Sequence, residues 1–126
     1  MQAIRVLVVD DSPFIHRAVA KALKDDGRYE LVGTAGNGKE GCEKYFGLKP
    51  DVTIMDITMP VMDGLAAARE ILSKDSQAKI IFQSALGDDE LVAKAKELGV
   101  KDFIQKPFKD GDLKSVIRRV CACPEC

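Results

Sequence analysis

Residues 4–15 read IRVLVVDDSPFI, an apolar run that ends in two adjacent acids and is followed by Ser12 and Pro13. Val6 to Val9 is apolar without interruption. Such a run fits a strand covered by helices on both faces, because alternate side chains point to opposite sides and neither side is left polar. Asp10 and Asp11 fall where that strand should stop. Ser12 is a candidate N-cap, and Pro13 suits a first helical turn, where its missing N–H has no partner to lose. The unit is therefore strand, acidic turn, helix.

Outward from this stretch the same unit recurs. Residues 52–55 and 80–82 are again nearly continuous apolar runs, whereas 29–35 and 102–105 carry polar residues and read as edge strands. Five strands, each followed by a helix, predict an α/β domain with a doubly wound parallel sheet. The first helix should present Phe14, Ile15, Ala18, Val19, Ala22 and Leu23 as one stripe, with Gly27 closing the segment. The second should run from Asn37 to Phe46, with Gly47 past its end. The third opens near Asp63 and carries Leu65, Ala68, Ile71 and Leu72. The fourth opens at Asp88 and Asp89, uses Leu91, Val92, Ala95 and Leu98, and stops at Gly99. The last begins at Asp110 and Asp112, where the helix dipole favours anions, and buries Leu113, Val116, Ile117 and Val120. The tail after Val120 reads as unstructured.

The chain has 126 residues, which suits one domain with a core of its own. Its formal net charge of -1 gives no overall bias toward nucleic acid or anionic membrane. No apolar run is long enough to span a bilayer, and the opening residues lack the form of a signal peptide, so a cytoplasmic location is expected. Of the cysteines, Cys121, Cys123 and Cys126 crowd the end while Cys42 stands alone, which is not a disulfide framework.

In an open parallel sheet the functional crevice lies at the carboxyl ends of the strands. There the first strand places Asp10 and Asp11, the third Asp56, the fourth Ser84, and the fifth Lys106 with Pro107. Three carboxylates at one edge repel each other. A divalent cation resolves the conflict, and Mg²⁺, which takes oxygen ligands and leaves room for water and phosphate, fits. Lys106 is a point charge suited to a phosphoryl oxygen, and Ser84 can donate a hydroxyl hydrogen bond to the same group. The chemistry expected is phosphoryl transfer onto a carboxylate.

The motifs Val9-Asp10-Asp11-Ser12, Met55-Asp56-Ile57-Thr58-Met59-Pro60 with Met62-Asp63-Gly64, Ser84-Ala85, and Phe103-Ile104-Gln105-Lys106-Pro107-Phe108 resemble the receiver domain of two-component response regulators. The look is nearest to the single-domain chemotaxis regulators, and it extends over roughly residues 4 to 120. The resemblance implies a flavodoxin-like sheet in the order 2-1-3-4-5, a receiver over residues 1–120 and a short Cys-containing tail over 121–126. It implies that Asp56 is the phospho-acceptor and that Mg²⁺ is held by Asp10, Asp11, Asp56 and the Thr58 backbone carbonyl. Ser84 would move toward the phosphate, Lys106 would pair with it, and Phe103 would occupy the aromatic switch position. It also implies a cis Lys106–Pro107 bond. A histidine kinase would be the donor, and a downstream protein would read the face built by the fourth helix, fifth strand and fifth helix. The chain would promote its own phosphorylation and dephosphorylation only, not act as an enzyme on an external substrate. Thr58 and Leu86, two past Asp56 and Ser84, cannot orient an attacking water, so slow hydrolysis is expected.

Other readings weigh less. Gly36-Asn37-Gly38-Lys39-Glu40-Gly41 fits a dinucleotide-binding pattern. That reading leaves Asp10, Asp11 and Lys106 unexplained, and the glycines equally suit a tight turn and close helix packing. A haloacid-dehalogenase phosphatase wants its two acids separated by one residue, and here they are adjacent. Cys121, Cys123 and Cys126 offer three thiols where a structural zinc site normally needs four ligands. Cys42 reads as a core thiol, His16 as a surface residue near the site, and Met55, Met59 and Met62 as packing. Lys114, Arg118 and Arg119 are too few to argue nucleic-acid binding. With no output domain read after the receiver, the expected product is a changed protein-binding surface. A phosphorelay intermediate that passes its phosphoryl group to a histidine phosphotransfer protein is the alternative.

Overall fold

The computed structural model describes residues 3–24, 26–85, 87–100 and 102–122. Strands and helices alternate: β1 (Ile4–Val9), α1 (Pro13–Leu23), β2 (Tyr29–Ala35), α2 (Gly38–Leu48), β3 (Val52–Asp56), α3 (Gly64–Lys74), β4 (Ile80–Ser84), α4 (Asp89–Glu97), β5 (Asp102–Gln105) and α5 (Asp110–Ala122). All strand pairs are parallel, in the order β2-β1-β3-β4-β5. β2 and β5 are the edges, as their polar residues predict.

The continuous apolar runs serve two cores at once. Leu7, Val9, Met55 and Phe82 pack with α2, α3 and α4 on one face. Val6, Val8, Ile54 and Ile81 pack with α1 and α5 on the other. The period of two along a strand sends neighbours to opposite sides. Each central strand therefore needs apolar residues at every position.

Local chemistry sets the helix ends. Asn37 Oδ1 accepts from the Glu40 N–H at 2.9 Å, and the Glu40 carboxylate accepts from the Gly36 N–H at 2.7 Å. This reciprocal pair fixes the start of α2. Asp63 Oδ1 accepts from the Ala66 N–H at 2.8 Å and starts α3. Gly99, with φ 101, ends α4 in the left-handed region that glycine enters without strain.

Several expectations are corrected. α2 does not stop before Gly47 but runs through it to Leu48. Leu48 packs against the core, and Arg5 donates from Nη1 to the Leu48 and Lys49 carbonyls at 2.7 and 2.9 Å, so the freed helix end is covered. Phe14 does not join the apolar stripe of α1; it is 70% exposed, and the buried face is Val19, Ala22 and Leu23 with Ile15 against it. α1 ends at Leu23, before Gly27. α5 continues through Ala122, two residues beyond Val120, with Cys121 packed against the core. Cys123 and Cys126 lie outside the described residues, as does Leu86.

The glycine-rich turn also finds its explanation. A Cβ on Gly41 would lie 2.8 Å from Val9 Cγ1, and one on Gly38 would run into the Met62 carbonyl. Gly38 N–H instead donates to that carbonyl at 2.8 Å. The glycines let α2 approach β1 and the β3–α3 loop, as the close-packing reading expects.

Candidate functional site

Four of the five strands deliver side chains to the carboxyl edge of the sheet; β2, which runs out into Gly36, delivers none. Asp10 follows β1 directly, and its N–H continues the sheet by donating to the Ala35 carbonyl at 2.9 Å. Its side chain is fully buried. Asp11, the next residue, is exposed, and Asp56 at the end of β3 is half-buried. One carboxylate oxygen from each of Asp10, Asp11 and Asp56 lies within 4.8 Å of the others. This all-oxygen cluster suits a hard cation such as Mg²⁺ better than a thiolate- or imidazole-seeking metal.

Lys106 enters from β5. Its backbone N–H donates to the Ser84 carbonyl at 2.8 Å, so pairing with β4 continues one residue past the strand. The side chain then crosses β4, and Nζ sits 3.0 Å from Asp10 Oδ2 and 3.1 Å from Asp56 Oδ2. The repulsion among the acids is therefore met in part by the protein itself, where the sequence pattern had suggested metal alone. The Lys106–Pro107 bond is cis.

Burial pushes the Asp56 carboxyl above its ordinary pKa, and the Asp10 charge pushes it further, while Lys106 and the Thr58 N–H pull it back without cancelling the rise. For Lys106, burial works against the ammonium. The hydrogen bonds and charges of Asp10 and Asp56 outweigh it, and the net shift is upward. The Asp56 shift thus reflects a buried carboxyl beside a second anion, and the Lys106 shift a cation held by both.

Asp10 is held on every side. Oδ1 accepts from the Ser12 N–H at 2.8 Å. Oδ2 accepts from Lys106 and from Gln83 Nε2, the latter at 3.1 Å. Ser12 has the extended backbone of an N-cap but makes no side-chain cap; its amide serves Asp10 instead. His16, expected at the surface, is half-buried and donates from Nε2 to the Asp10 carbonyl at 2.7 Å.

Gln83 is a residue that sequence reasoning missed. It stands on β4 directly across from Asp56 in the strand register and is fully buried. Its Oε1 has no hydrogen-bond partner among the described residues, and neither does the buried Thr53 hydroxyl. An orphaned buried acceptor costs about 1–3 kcal/mol. The available signal was a polar amide inside the apolar run Ile80-Ile-Phe-Gln-Ser84.

The β3–α3 loop carries Thr58 at the surface. Within it Met62 N–H donates to the Pro60 carbonyl at 2.7 Å, leaving Val61 between them at φ 68 and 79% exposed. A β-branched residue in the left-handed region is strained by about 1–3 kcal/mol. The loop is clamped at its far end, where Gly64 N–H donates to the Ile57 carbonyl at 2.7 Å.

Ser84 closes β4 and is half-buried. Among the described residues it makes no hydrogen bond to Asp56. Phe103 on β5 packs at a tilt against Phe82, ring centroids 6.3 Å apart, and Lys96 Nζ lies 5.8 Å from the Phe103 ring centroid. Asp10, Asp11, Asp56 and Lys106 thus converge directly, while Ser84 and Phe103 lie toward the β4–β5 side.

A flavodoxin-like sheet whose carboxyl edge gathers three aspartates around a cross-strand lysine defines a receiver. The sequence model for the response regulator receiver domain matches residues 6–118, and the chain belongs to that family. It is 46% identical over 116 residues to the chemotaxis protein CheY of Thermotoga maritima, covering 92% of this chain and 96% of that one. The corresponding figures for Treponema pallidum CheY are 47% over 120 residues, 94% and 81%. Among solved structures, the CheX–CheY–BeF3–Mg complex of Borrelia burgdorferi matches with a TM-score of 0.85 at 34% identity, covering 93% of this chain and 88% of that one. The response regulator domain of Thermotoga maritima CheB matches at 0.86 and 33%, covering 96% and 98%. Among the described residues no helix is long and apolar enough to cross a membrane.

Proposed function

We propose that this receiver takes a phosphoryl group on Asp56 from a histidine kinase and answers with a changed protein-binding surface. The observation that supports this most is the position of Lys106, 3.0 Å from Asp10 Oδ2 and 3.1 Å from Asp56 Oδ2 within the acidic cluster. An Asp56 oxygen forms the bond to phosphorus as the phosphorus–nitrogen bond of the donor histidine breaks, and the electron pair leaves on the imidazole, which takes up a proton. Lys106 then follows the negative charge from the carboxylates onto the phosphoryl oxygens, and Ser84 donates its hydroxyl to the same group. Mg²⁺ held by Asp10, Asp11, Asp56 and the Thr58 carbonyl would supply the charge that offsets the remaining negative oxygens.

The movement of Ser84 frees space beside it for Phe103. Having no hydroxyl, Phe103 chooses its position by packing alone, so both positions are populated before phosphorylation. The surface that changes is α4, β5 and α5, where a downstream protein binds. The relatives named chemotaxis proteins support a chemotaxis-type pathway, and the Borrelia burgdorferi complex with BeF3 and magnesium supports the chemistry. On this reading the chain works in the cytoplasm, with neither nucleic acid nor membrane as its partner, and is a switch rather than an enzyme with an external substrate.

Labelling by acetyl phosphate in Mg²⁺ tests the acceptor. Wild type and Asp63→Ala should label, and Asp56→Ala should not. Labelling of Asp56→Ala at wild-type stoichiometry overturns the assignment. Beryllofluoride followed by amide NMR tests the switch, with shifts expected from residue 91 to residue 119. Shifts confined to the loops bearing the acids rule it out. Rapid transfer of the label to a histidine phosphotransfer protein would favour a phosphorelay role instead.

A further inference from the structure

We propose that Gln83 is a positioning residue: its amide keeps hold of Asp10 when Lys106 is drawn away to the phosphoryl group. The inference rests on the reading of Asp56 as phospho-acceptor and concerns what that reading leaves unsettled. Lys106 Nζ and Gln83 Nε2 both donate to the same atom, Asp10 Oδ2, at 3.0 and 3.1 Å. Asp10 is fully buried, so an oxygen that loses its donor cannot turn to solvent.

Before phosphorylation the lysine is shared almost equally between Asp10 and Asp56. A phosphoryl group on Asp56 carries more negative charge than the carboxylate it replaces and pulls the ammonium toward itself. Of the protein's own donors to Asp10 Oδ2, Gln83 is then the one that remains. The amide's orientation follows from chemistry, since an ionised carboxylate only accepts and must face Nε2. That leaves Oε1 buried with no partner, a local cost at a position where an apolar residue would pack into the core of α1 and α5. The neighbours on the same face of β4 and β5, Ile81 and Ile104, are apolar. Asp10 is the only hydrogen-bond partner of the Gln83 side chain among the described residues. A neutral donor fits this role, because a second lysine would compete for the phosphoryl group, whereas the amide cannot leave.

The expected signature is a difference between two ligands. With Gln83→Leu, Lys106 and the Ser12 amide still grip Asp10, so Mg²⁺ affinity in an amide NMR titration should stay within about twofold of wild type. Beryllofluoride affinity at saturating Mg²⁺ should fall by about tenfold, the order expected when a hydrogen bond to a charged, buried carboxylate is removed. Equal loss of both affinities, or loss of neither, overturns the proposal. In wild type the Gln83 side-chain NH2 resonances supply a check that needs no variant. One proton should lie downfield in the Mg²⁺ form and move further downfield with beryllofluoride. Side-chain shifts at the free-amide position in the beryllofluoride form overturn the proposal even if Gln83→Leu does not fold. Absence of any beryllofluoride response in wild type would instead overturn the phospho-acceptor reading, and this inference with it.

Discussion

Helix α3 buries Gly64, Ala67, Ala68 and Ile71 against the sheet, whereas α4, its neighbour on the same face, buries only Ala95. Leu91 and Val92 of α4 and its C-cap Leu98 are half-buried, as is Phe103, which packs against the same core. α3 is also tied to the site at backbone level, through the Gly64 N–H on the Ile57 carbonyl. The difference separates two roles. The half that carries Asp56 and the Thr58 loop is packed closely enough to hold charges in place. The half next to Ser84 and Phe103 is held by fewer buried apolar contacts, which is where low-energy rearrangement is expected.

Gly64→Val should give the largest effect. A Cβ there runs into the Asp56 carbonyl and comes within 2.9 Å of Ile57 Cα, so backbone and not a pliable side chain must yield. The expected loss is about 3 kcal/mol or more in urea denaturation, together with loss of acetyl phosphate labelling. A fully stable, labelled variant would show that the α3 half is not rigid.

A matched pair of truncations sharpens the contrast. Ile71→Ala removes a fully buried side chain and should cost about 3 kcal/mol. Val92→Ala, on the half-buried face of α4, should cost about 1 kcal/mol. Equal costs in urea denaturation would erase the distinction between the two helices.

The smallest expected effect concerns the charge that the rigid half holds. The Asp56 pKa is raised from 3.8, so the folded state binds this proton more readily than the unfolded state. Stability from this group therefore falls as pH rises from about 3.8 through the raised folded value, and stays reduced above it. Asp56→Asn should be modestly more stable than wild type near pH 7, without metal, and the gain should vanish as the pH is lowered toward 3.8. A gain that is independent of pH would mean that Asn stabilises by packing and not by removing the charge.

Legibility in the sequence followed the range of each interaction. β2 and β5 match the expected spans residue for residue, and β1, β3 and β4 extend one or two residues beyond their apolar runs. Asp63, Asn37 and Gly99 announce helix ends because caps are local. Gly47 misled because glycine usually stops a helix, yet Arg5 covers the α2 carbonyls from the first strand, 43 residues away from Leu48. Phe14 misled because its position on α1 satisfies the apolar period loosely, and only the docked helix shows that it points outward.

By itself the sequence determined the alternation of strand and helix, the two-sided burial of β1, β3 and β4, and the presence of Asp10, Asp11, Asp56, Ser84 and Lys106 at strand ends. These follow from side-chain periodicity and from punctuation by acids, glycine and proline, all readable within a few residues. Only the tertiary structure decided that Lys106 crosses β4 to share itself between Asp10 and Asp56, and that Gln83, 73 residues from Asp10, donates to the same carboxylate oxygen. Those contacts depend on which strands lie side by side and in what register. A slip of one residue would turn each of these side chains to the opposite face of the sheet, and no local pattern records that choice.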